Sequence, residues 1–199
     1  MAKHRAPDGG ASDFDTATSA LADVTGDYTV DVQHTRIGLR ARHAMVTTVR
    51  GAFTAFEGTA HLDVADPSAS TVKLRIEAAS IDTGTPDRDA HLRSEDFLAA
   101  ERFPYLTFRS TEVEQIDEDV YRVTGELGIK DVVQPVSVDF TLTGSARDPW
   151  GQLRVGFEGA LVIRRADWGL TWNTPLDTGG VLVSDKIQIE FDVSAVKVA

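Results

Sequence analysis

Cysteine is absent from this sequence of 199 residues. Such a chain forms no disulfide bond, builds no thiolate metal site and offers no cysteine nucleophile. Long apolar runs are absent as well, so no segment is suited to spanning a bilayer. The basic start at residues 3–5 is not followed by the apolar stretch that a secretory signal requires. We therefore expect a cytoplasmic protein without stable membrane insertion, the alternative being a mature form whose signal has been replaced.

Basic residues are in the minority. The sequence has 20 Lys and Arg against 31 Asp and Glu, which gives a formal net charge of −11 at pH 7. Binding to nucleic-acid phosphates depends on clustered Lys and Arg, and so does electrostatic docking on an anionic membrane. The charge balance therefore predicts no nucleic-acid partner and suits a protein that stays in solution.

Metal-binding and catalytic motifs are equally scarce. His34, His43 and His61 form neither an H-x-H nor an H-E-x-x-H pair, so the ligand spacing of known metal sites is missing. The sequence also lacks a G-x-S-x-G nucleophile motif and a glycine-rich phosphate loop. We predict no metal site, no catalytic residue and no catalytic cofactor.

Alternation of apolar and polar residues is what the sequence does contain. Residues 1–26 are small, polar and without period, which predicts a flexible N-terminal tail. From Asp27 onward the alternation recurs, most clearly at 72–78 and 136–142. Strictly alternating strands have one wet face and one buried face, as in antiparallel sheets. Residues 27–199 are therefore predicted to form one all-β domain of about eight strands, either a sandwich or a closed barrel.

The predicted inward face of this domain mixes large residues with small ones, among them Gly125 and Gly159. A barrel of about eight strands has an interior that side chains can fill or that holds one small ligand. Small inward residues favour a ligand cavity, although a well-packed core also alternates large and small side chains.

The alternation stops in one stretch, residues 80–110, which we call the helical insert. Its threonine–proline pair at 85–86 is typical of a helix start. Ser94 before two acidic residues is typical of a second start. We predict two short helical turns that lie across the barrel as a lid, with Leu92 and Phe97 turned inward.

Two basic side chains on the predicted inward face each allow two interpretations. His43 is either a core histidine satisfied by one hydrogen bond or a polar contact for a ligand head group. A buried Arg165 needs a carboxylate partner, which Asp87 or Asp89 of the insert could supply. Arg165 therefore either fastens the insert by an ion pair or contacts a ligand.

A series of short motifs resembles the YceI-like family. The similarity runs in order from about Asp27 to the C-terminus, and the ordered set is specific although each motif alone is weak. Two local departures are Leu39, where the family has an aromatic residue, and residues 130–133, where it has a glycine and a threonine. The matching motifs lie at 34–39 (HTRIGL), 43–45, 49–53, 80–83, 88–92 (RDAHL), 96–97, 103–104, 108–110, 125–129 (GELGI) and 165–170 (RADWGL).

The resemblance implies an extended, antiparallel, eight-stranded β-barrel of lipocalin-like form with a short helical insert. Members of the family bind an isoprenoid chain, such as a polyprenyl lipid or the tail of an isoprenoid quinone, inside the barrel, with no known catalysis. The resemblance implies the same ligand here. The residues expected to contact it are Ile37, Leu39, His43, Phe53, Phe56, Leu92, Phe97, Phe108, Leu127, Ile129, Val138, Phe140, Ile163, Arg165, Trp168 and Trp172.

Two other functions stay open at the level of the sequence. One is an enzyme that acts on an apolar or isoprenoid substrate, with His43 or the cluster at 87–91 as acid or base. The other is an interaction module whose barrel is solidly packed. Edge strands could also mediate a homodimer.

Overall fold

The computed structural model describes residues 24–44, 46–177 and 179–198. All the named strands in this part of the chain belong to a single sheet. They are β1 (Gly26–Val30), β2 (Arg36–His43), β3 (Thr47–Phe53), β4 (Phe56–Leu62), β5 (Thr71–Glu77), β6 (Ile81–Asp82), β7 (Tyr105–Asp117), β8 (Val120–Ile129), β9 (Val132–Arg147), β10 (Leu153–Arg164) and β11 (Val183–Lys197).

In the described ranges, helical structure is confined to short segments between the strands. The α-helix α1 (Pro86–Arg93) lies between β6 and β7. Three 3-10 helices, Pro67–Ala69, Ala78–Ser80 and Arg165–Trp168, follow β4, β5 and β10.

The eleven strands occupy eight positions around a closed barrel, because three positions are each shared by two strands. The successive strands β1 and β2 both pair with β11. On their other side, β4 pairs with β1 and β3 pairs with β2. Strand β6 then pairs with β3, beyond the end of β5. Tyr28 of β1 lies opposite Lys197 of β11, which joins the first strand to the last. The predicted antiparallel, eight-stranded, lipocalin-like barrel with a short helix is confirmed.

The two ends of the barrel differ in what they carry. We call the end with α1 the helical end; it also holds the β8–β9 turn and the segments 83–104 and 165–182. The opposite end, which we call the loop end, holds the β4–β5, β7–β8 and β9–β10 connections. Any molecule inside the barrel therefore meets different chemistry at its two ends.

Each end contains a cluster of buried apolar side chains. The larger cluster lies at the helical end and includes Ile37, Ala78 and Trp168. The smaller cluster lies at the loop end and includes Tyr28 and Val155. Both clusters form because alternate residues of neighbouring strands turn to the same side of the sheet.

The N-terminal boundary of the domain is earlier than predicted. Val24, which we assigned to the tail, is only 3% exposed and packs in the loop-end cluster. The Tyr28 hydroxyl donates a hydrogen bond to the Val24 carbonyl oxygen at 2.6 Å, and β1 already begins at Gly26. The prediction of a tail is thus wrong for residues 24–26, and residues 1–23 lie outside the described residues.

The helical insert contains one helix where we predicted two. Thr85 is the N-cap residue of α1, although its side chain makes no capping hydrogen bond. The Ser94 hydroxyl donates to the His91 carbonyl oxygen at 2.7 Å. Ser94 therefore ends α1 instead of starting a second helix, and the following residues form turns.

Asp89 holds the insert to itself rather than to Arg165. Its carboxylate accepts hydrogen bonds from the Thr83 amide and hydroxyl, at 2.9 and 2.5 Å. Burial opposes ionisation of this carboxyl, but the hydrogen bonds from Thr83 and the charges of Arg93 and Arg88 outweigh it, so the pKa of Asp89 lies below its ordinary value. The other expected partner of Arg165, the carboxylate at position 87, is exposed.

Arg165 is buried without a direct carboxylate partner in the described chain, so the predicted ion pair is wrong. The residue is 6% exposed, and its guanidinium donates to the carbonyl oxygens of Leu170, Ser184 and Val183. Burial lowers the pKa of Arg165, and the charge of Asp185 partly offsets this effect. Main-chain carbonyl oxygens therefore hold the Arg165 guanidinium, a role that we assigned to the carboxylates of the insert.

A charged network links the β1–β2 connection to the β9–β10 connection through β10. The Arg154 guanidinium donates to the carboxylates of Asp31 and Asp148, and Asp31 also contacts the His34 ring. The hydrogen bond from Arg154 lowers the pKa of Asp31 most, burial opposes it, and His34 adds to it, which brings the pKa to about 2 from an ordinary 3.8. Ionised Asp31 therefore stabilises the fold.

Replacing Asp31 by asparagine is expected to lower the free energy of unfolding at pH 7 by about 1–2 kcal/mol, after allowance for solvent screening. Because the folded-state pKa is lowered, this stability is present above the unfolded pKa of 3.8 and is lost as the pH falls towards 2. Urea denaturation at several pH values should show the two proteins converging in acid. Glu57→Gln, which removes an exposed pair with Arg75, is the control; an equal loss there would contradict the assignment.

Candidate ligand cavity

An apolar cavity of about 190 Å³ lies inside the barrel. All eight barrel positions contribute lining residues, and nearly all of these are apolar. An apolar cavity of about 150 Å³ is known to stay dry and to bind benzene. The barrel interior therefore contains a space in which an apolar molecule is favoured over water.

Strand β9 illustrates how alternation builds this lining. Val136, Val138, Phe140 and Leu142 border the cavity, and the residues between them are exposed. A strand rises about 3.3 Å per residue, so these four side chains mark roughly 20 Å of lining. The cavity is thus long in the direction of the strands, which suits a chain-like ligand.

The inward glycines do not leave the empty space that we predicted. A Cβ atom on Gly159 would lie 2.8 Å from the ring of Phe140, and one on Gly125 would lie 2.6 Å from the ring of Phe108. Each glycine therefore provides the place into which a ring from the adjacent strand fits. Both rings line the cavity, so their positions set its width.

The structure divides the sixteen predicted ligand-contact residues into three groups. Seven line the cavity: Ile37, Phe53, Phe108, Leu127, Ile129, Val138 and Phe140. Five pack in the buried cluster at the helical end and do not border the cavity: Leu39, Phe56, Leu92, Ile163 and Trp168. The remaining four are His43, Phe97, Arg165 and Trp172, which lie farther from it. Ligand contact by any of the sixteen stays a prediction.

Phe97 and Trp172 form an aromatic cluster with His91 outside the cavity. The His91 ring meets Phe97 at a centroid distance of 5.1 Å and Trp172 at 4.5 Å, both edge-on. Its Nε2 atom lies 2.9 Å from a carboxylate oxygen of Asp96. This cluster joins α1 to Trp172, which follows the 3-10 helix Arg165–Trp168 at the helical end.

His43 is exposed, so the interpretation as a core histidine is wrong. It lies opposite Thr47 and Val183 and does not border the cavity. The pairing of β2 with β11 shifts register between Val183 and Ile187. The pairing of β2 with β3 stays in register to His43, so the irregularity lies on the β11 side. Strand parity alone therefore does not decide burial at the end of β2.

Some residues that line the cavity were not among the sixteen predicted from the sequence. Phe157, Leu161, Ile189 and Phe191 border the cavity and follow the strand alternation of β10 and β11, so that pattern could have identified them. Tyr121 also borders it, at the loop-end start of β8. Nothing in the local sequence identifies the lining residues in the loop-end connections, because apolar residues do not recur at a regular spacing in loops.

Neither a metal-binding cluster nor a membrane-spanning helix is found in the part of the chain that the structure describes. Among the residues described, no three or more His, Asp or Glu side chains are grouped so that they could hold a metal ion. Within the described ranges, no helix combines the length and the apolarity needed to cross a membrane.

A closed antiparallel barrel around an apolar interior defines the lipocalin-like class of β-barrel proteins. Within it, this chain belongs to the YceI-like domain family, which it matches over residues 28–195. A UPF0312 protein of Pectobacterium atrosepticum is 40% identical over 158 residues, covering 78% of this chain and 80% of the relative. A UPF0312 protein of Azotobacter vinelandii is 36% identical over 149 residues, covering 74% and 78%.

Solved structures have the same fold. BcnA of Burkholderia cenocepacia superposes with a TM-score of 0.74 at 25% identity, covering 83% of this chain and 98% of that one. The YceI protein of Campylobacter jejuni gives 0.69 at 27% identity, covering 79% and 90%. A polyisoprenoid binding domain from Saccharophagus degradans gives 0.66 at 15% identity, covering 86% and 98%, which establishes a shared fold alone.

Proposed function

We propose that this YceI-like protein binds an isoprenoid lipid, either a polyprenyl chain or an isoprenoid quinone, inside its barrel for transport, storage or sequestration. The observation that carries the proposal is the long, apolar cavity inside the barrel. A protein of the same fold is described as a polyisoprenoid binding domain, which agrees with this use of the barrel.

The energetics support a ligand held by its tail. Each buried methylene contributes about 0.8 kcal/mol, so one five-carbon isoprene unit supplies roughly 3–4 kcal/mol before association costs. Two or three enclosed units would therefore reach micromolar affinity, about −8 kcal/mol, once those costs are subtracted. No charged anchor inside the barrel is required for such binding.

The size of the cavity implies that the barrel adjusts to its ligand. Its volume of about 190 Å³ lies below the roughly 300–1,000 Å³ of typical small-molecule pockets. Phe108 and Phe140 line it, are only half-buried and fit against glycines on the adjacent strands. Rotation of these rings would lengthen or widen the space without breaking a strand pair.

Organic extraction of the purified protein followed by mass spectrometry tests the proposal. A prenyl lipid is expected in the extract, at up to one molecule per barrel. An empty extract, combined with no binding of added menaquinone or ubiquinone, would overturn it. A preparation of the cavity-filling variant Val138→Trp from the same host should yield no prenyl lipid and serves as the control.

The proposed function is non-catalytic and is assigned to the cytoplasm. The groups that could act as acid or base are engaged elsewhere: Asp89 with Thr83, and His91 with Asp96. If the barrel were instead an enzyme, Asp89→Asn and His43→Ala would abolish turnover of an isoprenoid while leaving its binding intact. We expect Asp89→Asn to alter stability only, and His43→Ala to alter neither stability nor binding.

A further inference from the structure

The polar residues that border the cavity are not spread evenly along it. Asp63 and Ser70 belong to the β4–β5 connection, and Tyr121 follows the β7–β8 turn, so all three lie at the loop end. Towards the helical end the lining consists of apolar residues such as Leu127 and Ile129, with Thr107 opposite Gly128 among them. The carboxylate and the phenol that border the cavity therefore lie at the loop end, whereas only threonine hydroxyls interrupt the apolar lining towards the helical end.

The helical end is closed by contacts that are costly to break. Trp168 packs in the buried cluster, and its Nε1 atom donates to the Leu127 carbonyl oxygen at 3.0 Å. The buried guanidinium of Arg165 binds main-chain oxygens of the same segment. Opening this end would leave a buried charge and several carbonyl groups without partners. None of the described lining residues comes from segment 83–104, so this segment closes the cavity without entering it.

The loop end is closed by weaker contacts. Val24 and Val64 border the cavity there. Val24 is held by the Tyr28 hydroxyl at 2.6 Å, and the Val64 amide donates to the Thr25 hydroxyl at 3.1 Å. The first of these hydrogen bonds is buried and the second half-buried, but both are neutral and each is worth about 1 kcal/mol. Displacement of these two residues therefore gives the easier route into the barrel.

Tyr121 is suited to hold a polar head group at this end. Its ring borders the cavity edge-on to Phe157, at a centroid distance of 6.5 Å. Its hydroxyl makes no hydrogen bond to any residue that the structure describes, unlike that of Tyr28. Burial, together with the charge of Asp119, raises the pKa of Tyr121, which keeps the hydroxyl protonated as a donor.

The charges at the loop end disfavour an anionic head group. Asp63 borders the cavity, and Asp119 acts on Tyr121. Lys73 is the one basic residue among the described lining residues, and it occupies an exposed position between Val72 and Leu74. A diphosphate needs several converging cations to offset its desolvation. The described lining residues do not provide them.

We infer that the bound isoprenoid lies with its tail against the helical end and its head group at the loop end beside Tyr121, and that this site takes an uncharged hydrogen-bond acceptor such as a quinone carbonyl. The inference rests on the proposed function, because it assumes an isoprenoid in the barrel. The ligand then enters past Val24 and the β4–β5 connection. The helical insert stays in place at the opposite end and does not act as a lid.

Fluorescence quenching tests the orientation with one protein variant. Trp150→Phe/Trp172→Phe leaves Trp168, next to the cavity residue Leu127, as the only tryptophan of the three. Two probes of equal length are compared: farnesol brominated on its terminal isoprene and farnesol brominated on its first isoprene. The terminal bromine should remove most of the Trp168 fluorescence and the other should remove little. The reverse order would overturn the inference.

Affinity measurements test the head-group preference. Tyr121→Phe should weaken binding of ubiquinone-2 about fivefold, the loss of one hydrogen bond. Tyr105→Phe, outside the barrel against Arg75, should leave it unchanged. Farnesol should bind at least about tenfold more tightly than farnesyl diphosphate. Equal affinities, or an unchanged Tyr121→Phe, would overturn the inference alone, whereas failure of every probe to bind would overturn the proposed function.

Discussion

Replacing Arg165 by methionine is expected to lower the free energy of unfolding by about 3 kcal/mol. Arg165 is 6% exposed, and its guanidinium satisfies carbonyl oxygens of Leu170, Ser184 and Val183, which would lose this donor. Arg165→Lys should recover little of this loss, because one ammonium group cannot reproduce the planar set of donors. Urea denaturation measures both variants.

The adjacent arginine provides a matched control. Arg164 pairs with Asp185, but 65% of its side chain is exposed. Arg164→Met should therefore cost less than about 1 kcal/mol, as exposed ion pairs do. Equal losses at the two positions would mean that the buried carbonyl contacts do not stabilise the helical end as we describe.

Replacing Val138 by tryptophan is expected to weaken isoprenoid binding by about 100-fold. Val138 is 3% exposed and borders the cavity, so the indole would occupy the space that a ligand tail needs. The larger side chain should also cost about 1–3 kcal/mol of stability through overpacking. Titration with ubiquinone-2 measures the affinity, and circular dichroism shows whether the barrel persists.

The control for this variant lies three residues along the same strand. Thr141 is exposed on the outer face of β9, so Thr141→Trp adds the same side chain outside the barrel. Its affinity for ubiquinone-2 should match that of the unaltered protein. If Val138→Trp folds and binds equally well, the ligand does not occupy this part of the interior.

The barrel could be predicted from the sequence because its signal is repeated. The strands carry the alternation independently of one another, as at 72–76 on β5 and 136–142 on β9. An error in one strand therefore does not change the prediction of an antiparallel β-domain. The subdivision of three barrel positions into two strands could not be predicted in this way. It depends on where neighbouring strands lose register, as where β11 passes from pairing with β2 at Asp192 to pairing with β1 at Ala195, which is a property of a pair of strands and not of one.

The interior was predicted better than its ends. Phe108, Val138 and Phe140 lie at the cavity as expected, because strand parity determines on which side of the sheet a residue lies. His43 lies at a strand end beyond a register shift, and Arg165 is satisfied by main-chain oxygens that no sequence motif marks. Contacts made by connections depend on their three-dimensional course, which local residue patterns do not encode.

The pairing of β1 with β11 also has a consequence for how the chain reaches its native state. Residues 28–30 lie opposite residues 195–197, so the ring of strands can close only after nearly the whole domain has left the ribosome. Until then β1 and the last strand to have emerged are free edges that can pair with other chains. Contacts so distant in sequence slow folding, to the millisecond-to-second range typical of such barrels. A stalled or truncated chain that lacks the last part of β11 is therefore the form most prone to aggregate.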